Sequence, residues 1–233
     1  MPQDHAITSN EQFMTKLKNY EQLDGDQLVS FDVVSLFTNV PLVETIEIIT
    51  NRLYSGTSKS PLMPKSSFQV LMKCATSGIF THRNQLFQQC DGVSMGNPLA
   101  PTLANFFMGH MEEQLLKQTT NEFYPILYMR YVDDIFCIFR RGIDFQSFQR
   151  KLNQLHQNLK FTAEYGGNNI PFLDTHVHLL KGRMKTTVYR KNTNTNVIIN
   201  RDAVAPTVWK KSLISCFLHR AEVVCSDSET FDE

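Results

Sequence analysis

Tyr131-Val132-Asp133-Asp134 sets two adjacent carboxylates between two hydrophobic runs, Tyr124-Pro-Ile-Leu-Tyr-Met-Arg130 before them and Ile135-Phe-Cys-Ile-Phe139 after them. Apolar runs on either side of a short polar break read as a β-hairpin with buried strands. Two like charges about 4 Å apart, at an effective dielectric near 20, repel by roughly 4 kcal/mol. A divalent cation removes that penalty, and hard carboxylate oxygens suit magnesium. The bland alternative is a solvated hairpin tip.

Two-metal phosphoryl transfer holds its ions about 3.5–4 Å apart and draws on ligands from separate elements. The hairpin therefore needs a further acid elsewhere, and Asp32 is the candidate: an apolar strand pattern, Gln27-Leu-Val-Ser-Phe-Asp-Val-Val-Ser-Leu-Phe37, runs straight through it. An acid at a strand end also caps a following helix, so Asp32 alone is ambiguous. The ordered set says more. Ser30-Phe-Asp-Val-Val-Ser-Leu-Phe-Thr-Asn-Val-Pro41, Asp91-Gly-Val-Ser-Met-Gly-Asn-Pro-Leu-Ala-Pro101, Tyr131-Val-Asp-Asp134 and Ile170-Pro-Phe-Leu-Asp174 follow one another along the chain. Together they resemble the palm motifs of reverse transcriptases, and the wording is closest to those of Penelope-like retroelements. Val188-Tyr-Arg-Lys191 and Trp209-Lys-Lys-Ser-Leu-Ile-Ser215 resemble downstream segments of that group, so the likeness spans residues 26–220.

The resemblance implies an α+β palm, an antiparallel sheet backed by helices, with a partial thumb. It also implies an RNA-directed DNA polymerase that binds an RNA template, a DNA primer, dNTPs and two Mg²⁺ ions, with Mn²⁺ as a substitute. In that scheme Asp32 and Asp133 bridge the metals, the Val33 carbonyl completes one site, and Asp134 is the lesser ligand. Asp134 could equally serve turn formation, because Asp tolerates tight backbone geometry. Phe37 occupies the position of the aromatic that lies under the incoming sugar and excludes a 2′-hydroxyl; in a chain with 17 Phe residues, ordinary core is the alternative. Gly92, Gly96 and Pro98 belong to the loop and helix start facing the nucleotide, since glycine lets backbone approach a ligand and Pro suits a first helical turn. Many relatives place Gln just before the loop glycine, whereas this chain has Met95. Lys160 is the candidate cation for pyrophosphate, or else a helix C-terminal dipole partner. His176 and His178 alternate on one strand face without a third ligand in view.

Lys and Arg balance Asp and Glu at 23 each, yet the distribution is uneven. Residues 181–220 carry Lys181, Arg183, Lys185, Arg190, Lys191, Arg201, Lys210, Lys211 and Arg220 against Asp202 alone, and Glu222, Asp227, Glu229, Asp232 and Glu233 follow. A basic stretch followed by an acidic end reads as phosphate contacts, centred on Arg190, Lys191, Lys210 and Lys211, running into a disordered tail. The alternative is a solvated face. Five scattered cysteines without paired spacing read as free thiols. No secretory leader or bilayer-length apolar run is evident, so the expectation is an intracellular chain with no membrane partner, and by the resemblance a nuclear one.

The expected organisation is a lead-in at 1–25, the palm at 26–180, a basic palm–thumb connection at 181–220 and an acidic tail at 221–233. The resemblance implies a fingers region with basic residues before the Asp32 strand; residues 1–31 hold only Lys16 and Lys18, so that region reads as largely absent. A catalytically inactive relic or repurposed RNA-binding domain is therefore the competing expectation. Periodicity predicts a helix from Pro41 with Ile46, Ile49 and Leu53 inward, and another over 66–77 burying Phe68, Leu71, Met72 and Ala75. It further predicts a hairpin over 79–87, a long helix over 99–116 and an amphipathic helix through Phe145, Phe148, Leu152, Leu155 and Leu159. Strands follow near 161–165, 172–180 and 184–190.

Overall fold

The computed structural model describes residues 5–21, 24–55, 63–118, 123–180, 183–195, 198–200 and 202–227. It contains helices α1 (Asn10–Lys18), α2 (Leu36–Asn39), α3 (Leu42–Tyr54), α4 (Lys65–Thr76), α5 (Ala100–Gln118), α6 (Phe145–Gln154) and α7 (Thr207–Val224). The strands are β1 (Gln27–Val33), β2 (Ile79–His82), β3 (Gln85–Gln88), β4 (Leu127–Tyr131), β5 (Asp134–Phe139), β6 (Phe161–Gly167), β7 (Asn169–Phe172), β8 (Thr175–Leu180) and β9 (Arg183–Val188). They form a four-stranded sheet ordered β4-β5-β1-β6, the β2-β3 hairpin and a β7-β8-β9 sheet. The pairs β2–β3, β4–β5, β7–β8 and β8–β9 are antiparallel. This is the expected α+β arrangement. By contacts the chain divides into two compact units, one built from Asp32–Tyr124 and Gln146–Thr162, the other from Pro2–Phe31, Pro125–Phe145 and Ala163–Glu233.

In the first unit α5 lies against α2 and α3, and α4 lies against α3. Ile46 and Ile49 of α3 and Leu103, Phe107 and Met111 of α5 are buried, the inward stripes that helical spacing dictates. The periodicity overstates two faces. Leu53 is exposed, and on α4 Leu71 and Ala75 are exposed, Phe68 and Met72 half-buried and only Thr76 fully buried. Helix α4 has α3 as its main helical neighbour, meeting it through the Phe68 and Tyr54 rings, and one neighbour covers only a strip. The β2–β3 hairpin forms as expected and is exposed along its whole length.

The second unit is organised by α1. Ser9 caps it, its Oγ accepting from the Gln12 N–H at 3.2 Å. Phe13, Met14 and Leu17 enter one cluster with Leu28 of β1, Met129 of β4, Phe136 and Ile138 of β5, and Ile170, Phe172, Val177 and Leu179 of β7 and β8. The Phe13 ring meets Phe136 edge-on at 5.1 Å and Phe172 at 4.9 Å, so part of the expected lead-in is core. The expected strand 172–180 is interrupted: Leu173 adopts φ 54°, and β7 and β8 become a hairpin. The expected disordered tail is also corrected over its first residues. Helix α7 runs to a fully buried Val224, whose carbonyl accepts from the Thr186 hydroxyl at 2.7 Å, and the Ser226 N–H donates to the Thr186 carbonyl. The rest of that tail, 228–233, lies outside the described residues. All five cysteines are free thiols and Cys137 is buried in β5. Among the described residues, no helix is long and apolar enough to cross a membrane.

Asp26, 4% exposed just before β1, accepts from Arg140 Nη1 at 3.0 and 3.1 Å and from the Tyr20 hydroxyl. Burial first, then the hydrogen bond to Asp26, raises the pKa of the Tyr20 phenol. The folded state thus favours neutral Tyr20, while the unfolded residue ionises near pH 10. This contribution to stability is complete below about pH 10 and declines as pH rises further. Urea midpoints are expected to hold up to pH 9 and fall by pH 11 more steeply than in Tyr20→Phe. Phe13→Ala is expected to cost about 3–5 kcal/mol in urea unfolding; a change below 1 kcal/mol would leave α1 a dispensable lead-in.

Candidate active site

Tyr131 and Asp134 form the last pair of the β4–β5 ladder, so the loop between them is Val132-Asp133 alone. Val132 has φ 56°, while Asp133 is not among the residues with positive φ. A two-residue hairpin loop with positive φ in its first position ordinarily places glycine there. A β-branched residue in that conformation is strained, at a cost of roughly 1–3 kcal/mol. Arg130, at 0% exposure the largest fully buried side chain among the described residues, holds the turn: its Nη1 donates to the Val132 carbonyl at 3.0 Å. Met129, Ile135 and Phe136 beside it are fully buried. The half-buried Asp133 is therefore presented at the end of a hairpin anchored on both strands. Asp134 is the first residue of β5, which corrects its reading as a turn-former.

From sequence Arg130 reads only as the end of a hydrophobic run. The available signal was a cation inside an apolar strand, one turn ahead of the carboxylates.

On β1 the alternation that buries Phe31 and Val33 turns Asp32 outward. The Val34 N–H donates to the Lys160 carbonyl at 2.9 Å, so Lys160 braces the chain just past Asp32 while its side chain stays exposed. Ser35 then takes a left-handed φ of 52° and the chain enters α2. Leu36 fills the core position there and Phe37 is left half-buried, which separates it from ordinary core.

The glycine loop reaches the same place. The Val93 N–H donates to the Phe37 carbonyl at 2.7 Å. Gly92 has φ 75°, and a Cβ on it would lie 2.4 Å from the Thr38 carbonyl oxygen, so glycine is required for both conformation and approach. Gly96, at φ 93°, has open space around its missing Cβ, so there the backbone conformation alone calls for glycine. Pro98 precedes α5, which begins at Ala100 rather than Leu99; Asn97 shapes the turn into it, its Oδ1 accepting from the Leu99 N–H at 2.9 Å and its carbonyl from the Ala100 N–H. Met95 is exposed.

The structure thus joins Phe37 to Gly92 and Val93, and Lys160 to the segment after Asp32, within one compact unit. Asp133, Asp134, Arg190, Lys191, Lys210 and Lys211 belong to the other unit. There, Arg190 and Lys191 line a surface cavity of about 290 Å³ with Asp174, Tyr189 and Arg220. From sequence Arg220 reads only as the last basic residue of the 181–220 stretch; its Nη2 donates to Asp174 Oδ1 at 2.7 Å and to the Tyr189 carbonyl at 2.8 Å. Lys210 and Lys211 sit on α7 and do not line that cavity. The His176 and His178 rings lie 4.3 Å apart, and burial lowers the His176 pKa.

Among the described residues, no group of three or more His, Cys, Asp or Glu side chains is placed to hold a metal ion. Magnesium commonly takes one or two protein carboxylates and completes its shell with water and substrate phosphates. The exposed Asp32 and half-buried Asp133 match that ion in donor chemistry.

Replacing Arg130 by Met is expected to leave the Val132 carbonyl without this donor and to destabilise the protein by about 1–3 kcal/mol. Urea unfolding checks the value, and a neutral result would remove Arg130 from the support of the turn.

Among curated proteins, none matches the sequence. The fold resembles telomerase from Candida albicans, solved in complex with a TWJ fragment of telomeric RNA, at a TM-score of 0.68 and 11% identity over 92% of this chain and 38% of that one. It resembles apo telomerase from Candida tropicalis, truncated from its C-terminal domain, at a TM-score of 0.60 and 15% identity over 78% of this chain and 40% of that one. A BmCPV RNA-dependent RNA polymerase in its elongation state matches at a TM-score of 0.58 and 14% identity, over 95% of this chain and 21% of that one. At such identities the likeness shows the fold alone, and the chain spans at most 40% of these three proteins' lengths. The family model described as reverse transcriptase (RNA-dependent DNA polymerase) matches residues 3–165, and the chain belongs to that family.

Proposed function

We propose that the chain is a catalytic palm of an RNA-directed DNA polymerase from a Penelope-like retroelement, extending a DNA primer on an RNA template with dNTPs. The observation that carries this reading is the Val132-Asp133 turn, a strained loop held by a buried guanidinium so that a carboxylate stands at its end. Strain of this kind persists only where the surroundings over-determine it, and it gathers at functional sites.

In the proposed mechanism Asp32 and Asp133 would hold two Mg²⁺ ions, with Mn²⁺ as a substitute, the Val33 carbonyl would be a further ligand, and Asp134 would be the weaker one. Bound metal would lower the pKa of the primer 3′-hydroxyl and neutralise the triphosphate. Phe37 excludes a ribose 2′-hydroxyl by occupying its space, a discrimination that works by penalising the wrong substrate. Gly92, Gly96 and Pro98 shape the backbone that approaches the nucleotide. Lys160 neutralises charge developing on pyrophosphate. Arg190, Lys191, Lys210 and Lys211 contact the phosphates of the nucleic acid, a contribution that weakens as salt rises.

Primer extension on an RNA template with Mg²⁺ tests the reading. Asp32→Ala and Asp133→Ala are each expected to lower the rate by on the order of a hundredfold or more, since a metal ion supplies several kcal/mol and each 1.36 kcal/mol is tenfold. Asp134→Ala is expected to cost less than either. Folded wild-type protein that binds RNA yet gives no extension would replace the polymerase reading with that of an RNA-binding domain.

A further inference from the structure

We propose that Asp91 is a positioning residue for sugar selection, acting through the peptide of Phe37; this rests on the reading of Phe37 as the residue that excludes the 2′-hydroxyl. The Asp91 carboxylate does two things with one oxygen. Its Oδ1 accepts from the Leu42 N–H at 3.1 Å and from the Gly92 N–H at 2.8 Å. Leu42 is the first residue of α3, and its N–H is among those that a helix leaves without an internal partner. Pro41 supplies no side-chain cap to that helix, so the acid from the glycine loop takes its place, at the helix end where negative charge is favoured.

The consequence reaches Phe37 by two contacts. Val93, the next residue along, donates to the Phe37 carbonyl at 2.7 Å. Gly92, buried and left-handed, runs so close to Thr38 that any side chain would collide with the Thr38 carbonyl. The Phe37–Thr38 peptide is thereby held by the loop, and Asp91 ties the loop to α3, which starts five residues after Phe37. The ring is only partly buried, so its height is set by the backbone that carries it together with its packing. Exclusion of a single hydroxyl depends on the ring standing at a fixed height. Asp91 sets that height although it lies outside the short motif that holds Phe37.

The test compares wild type, Phe37→Ala, Asp91→Ala and Asp91→Asn in the full chain bound to an RNA template and DNA primer with Mg²⁺. The readout is the ratio of dissociation constants for ATP and dATP opposite a templating uridine. Asp91→Ala is expected to shrink the ratio by about tenfold, the scale of one hydrogen bond to a charged group. Asp91→Asn keeps an oxygen that accepts both N–H groups and is expected to retain most of the ratio. In Phe37→Ala the ratio is expected to collapse, with no further loss on adding Asp91→Ala.

Hydrogen exchange of the Val93 amide gives a second readout, expected to quicken in Asp91→Ala and to stay near wild type in Asp91→Asn. If Phe37→Ala keeps the ratio, or wild type has none, the sugar-gate reading fails and the inference falls with it. If Phe37→Ala loses the ratio while a folded Asp91→Ala keeps it, the role of Asp91 is overturned and the gate stands. Should Asp91→Ala not fold, Asp91→Ser takes its place under the same criteria.

Discussion

The contact between the Arg130 guanidinium and the Val132 carbonyl is the constraint on which the carboxylate hairpin depends. A buried guanidinium is costly unless its donors are matched. Here one of its donors goes to the residue whose backbone is strained, so the same bond offsets part of the cost of burial and part of the cost of strain. The ladder reinforces it: five consecutive pairs run from Leu127–Ile138 to Tyr131–Asp134. Both faces of β4 and β5 are buried, so slipping that register by one residue would exchange every side chain with one of different size on the opposite packed face. The place of Asp133 is thus fixed by hydrophobic burial several residues away, transmitted through register and a turn too short to absorb an error.

Left-handed non-glycine residues recur beside acids. Ser35 lies three residues past Asp32, Val132 directly precedes Asp133, and Leu173 directly precedes Asp174. Each marks a point where a strand must end abruptly. The neighbouring acids differ in what they do there. Asp174 is occupied internally, accepting from Asn10 Nδ2 and Arg220, and so ties α1 and α7 to the β7–β8 turn. Asp133 has no ion-pair partner among the described residues. A reversal that serves structure and one that presents a charge use the same backbone device; the partners of the acid distinguish them.

Those distinctions explain what could be read in the sequence. The hairpins over 79–88 and 127–139 were legible because both strands and the turn lie within a short window. The helix from Leu42 and the stripe of Phe148 and Leu152 were legible from spacing alone. Helix α1 was not, because Phe13 is core only by virtue of Phe136 and Phe172, more than a hundred residues away. The break at Leu173 hid inside an apolar alternation that reads through it, and the docking of Val224 depends on Thr186 of a separate strand. At the candidate site the acids and glycines were visible as residue types. Arg130 and Asp91 were not, since their importance lies in which backbone atoms they meet.

Equal numbers of acids and bases suggest no preference for a polyanion, but a count treats every charge as available. Asp26 is matched by Arg140, Asp174 by Arg220 and Glu113 by Arg52, while Asp91 is occupied by two backbone N–H groups. Arg190 and Lys191 stand exposed at a cavity whose one acid, Asp174, already faces Arg220. The field that a nucleic acid meets is set by such local imbalances rather than by the total. A chain of zero formal charge can therefore present a basic surface in one place and a carboxylate without an ion-pair partner in another.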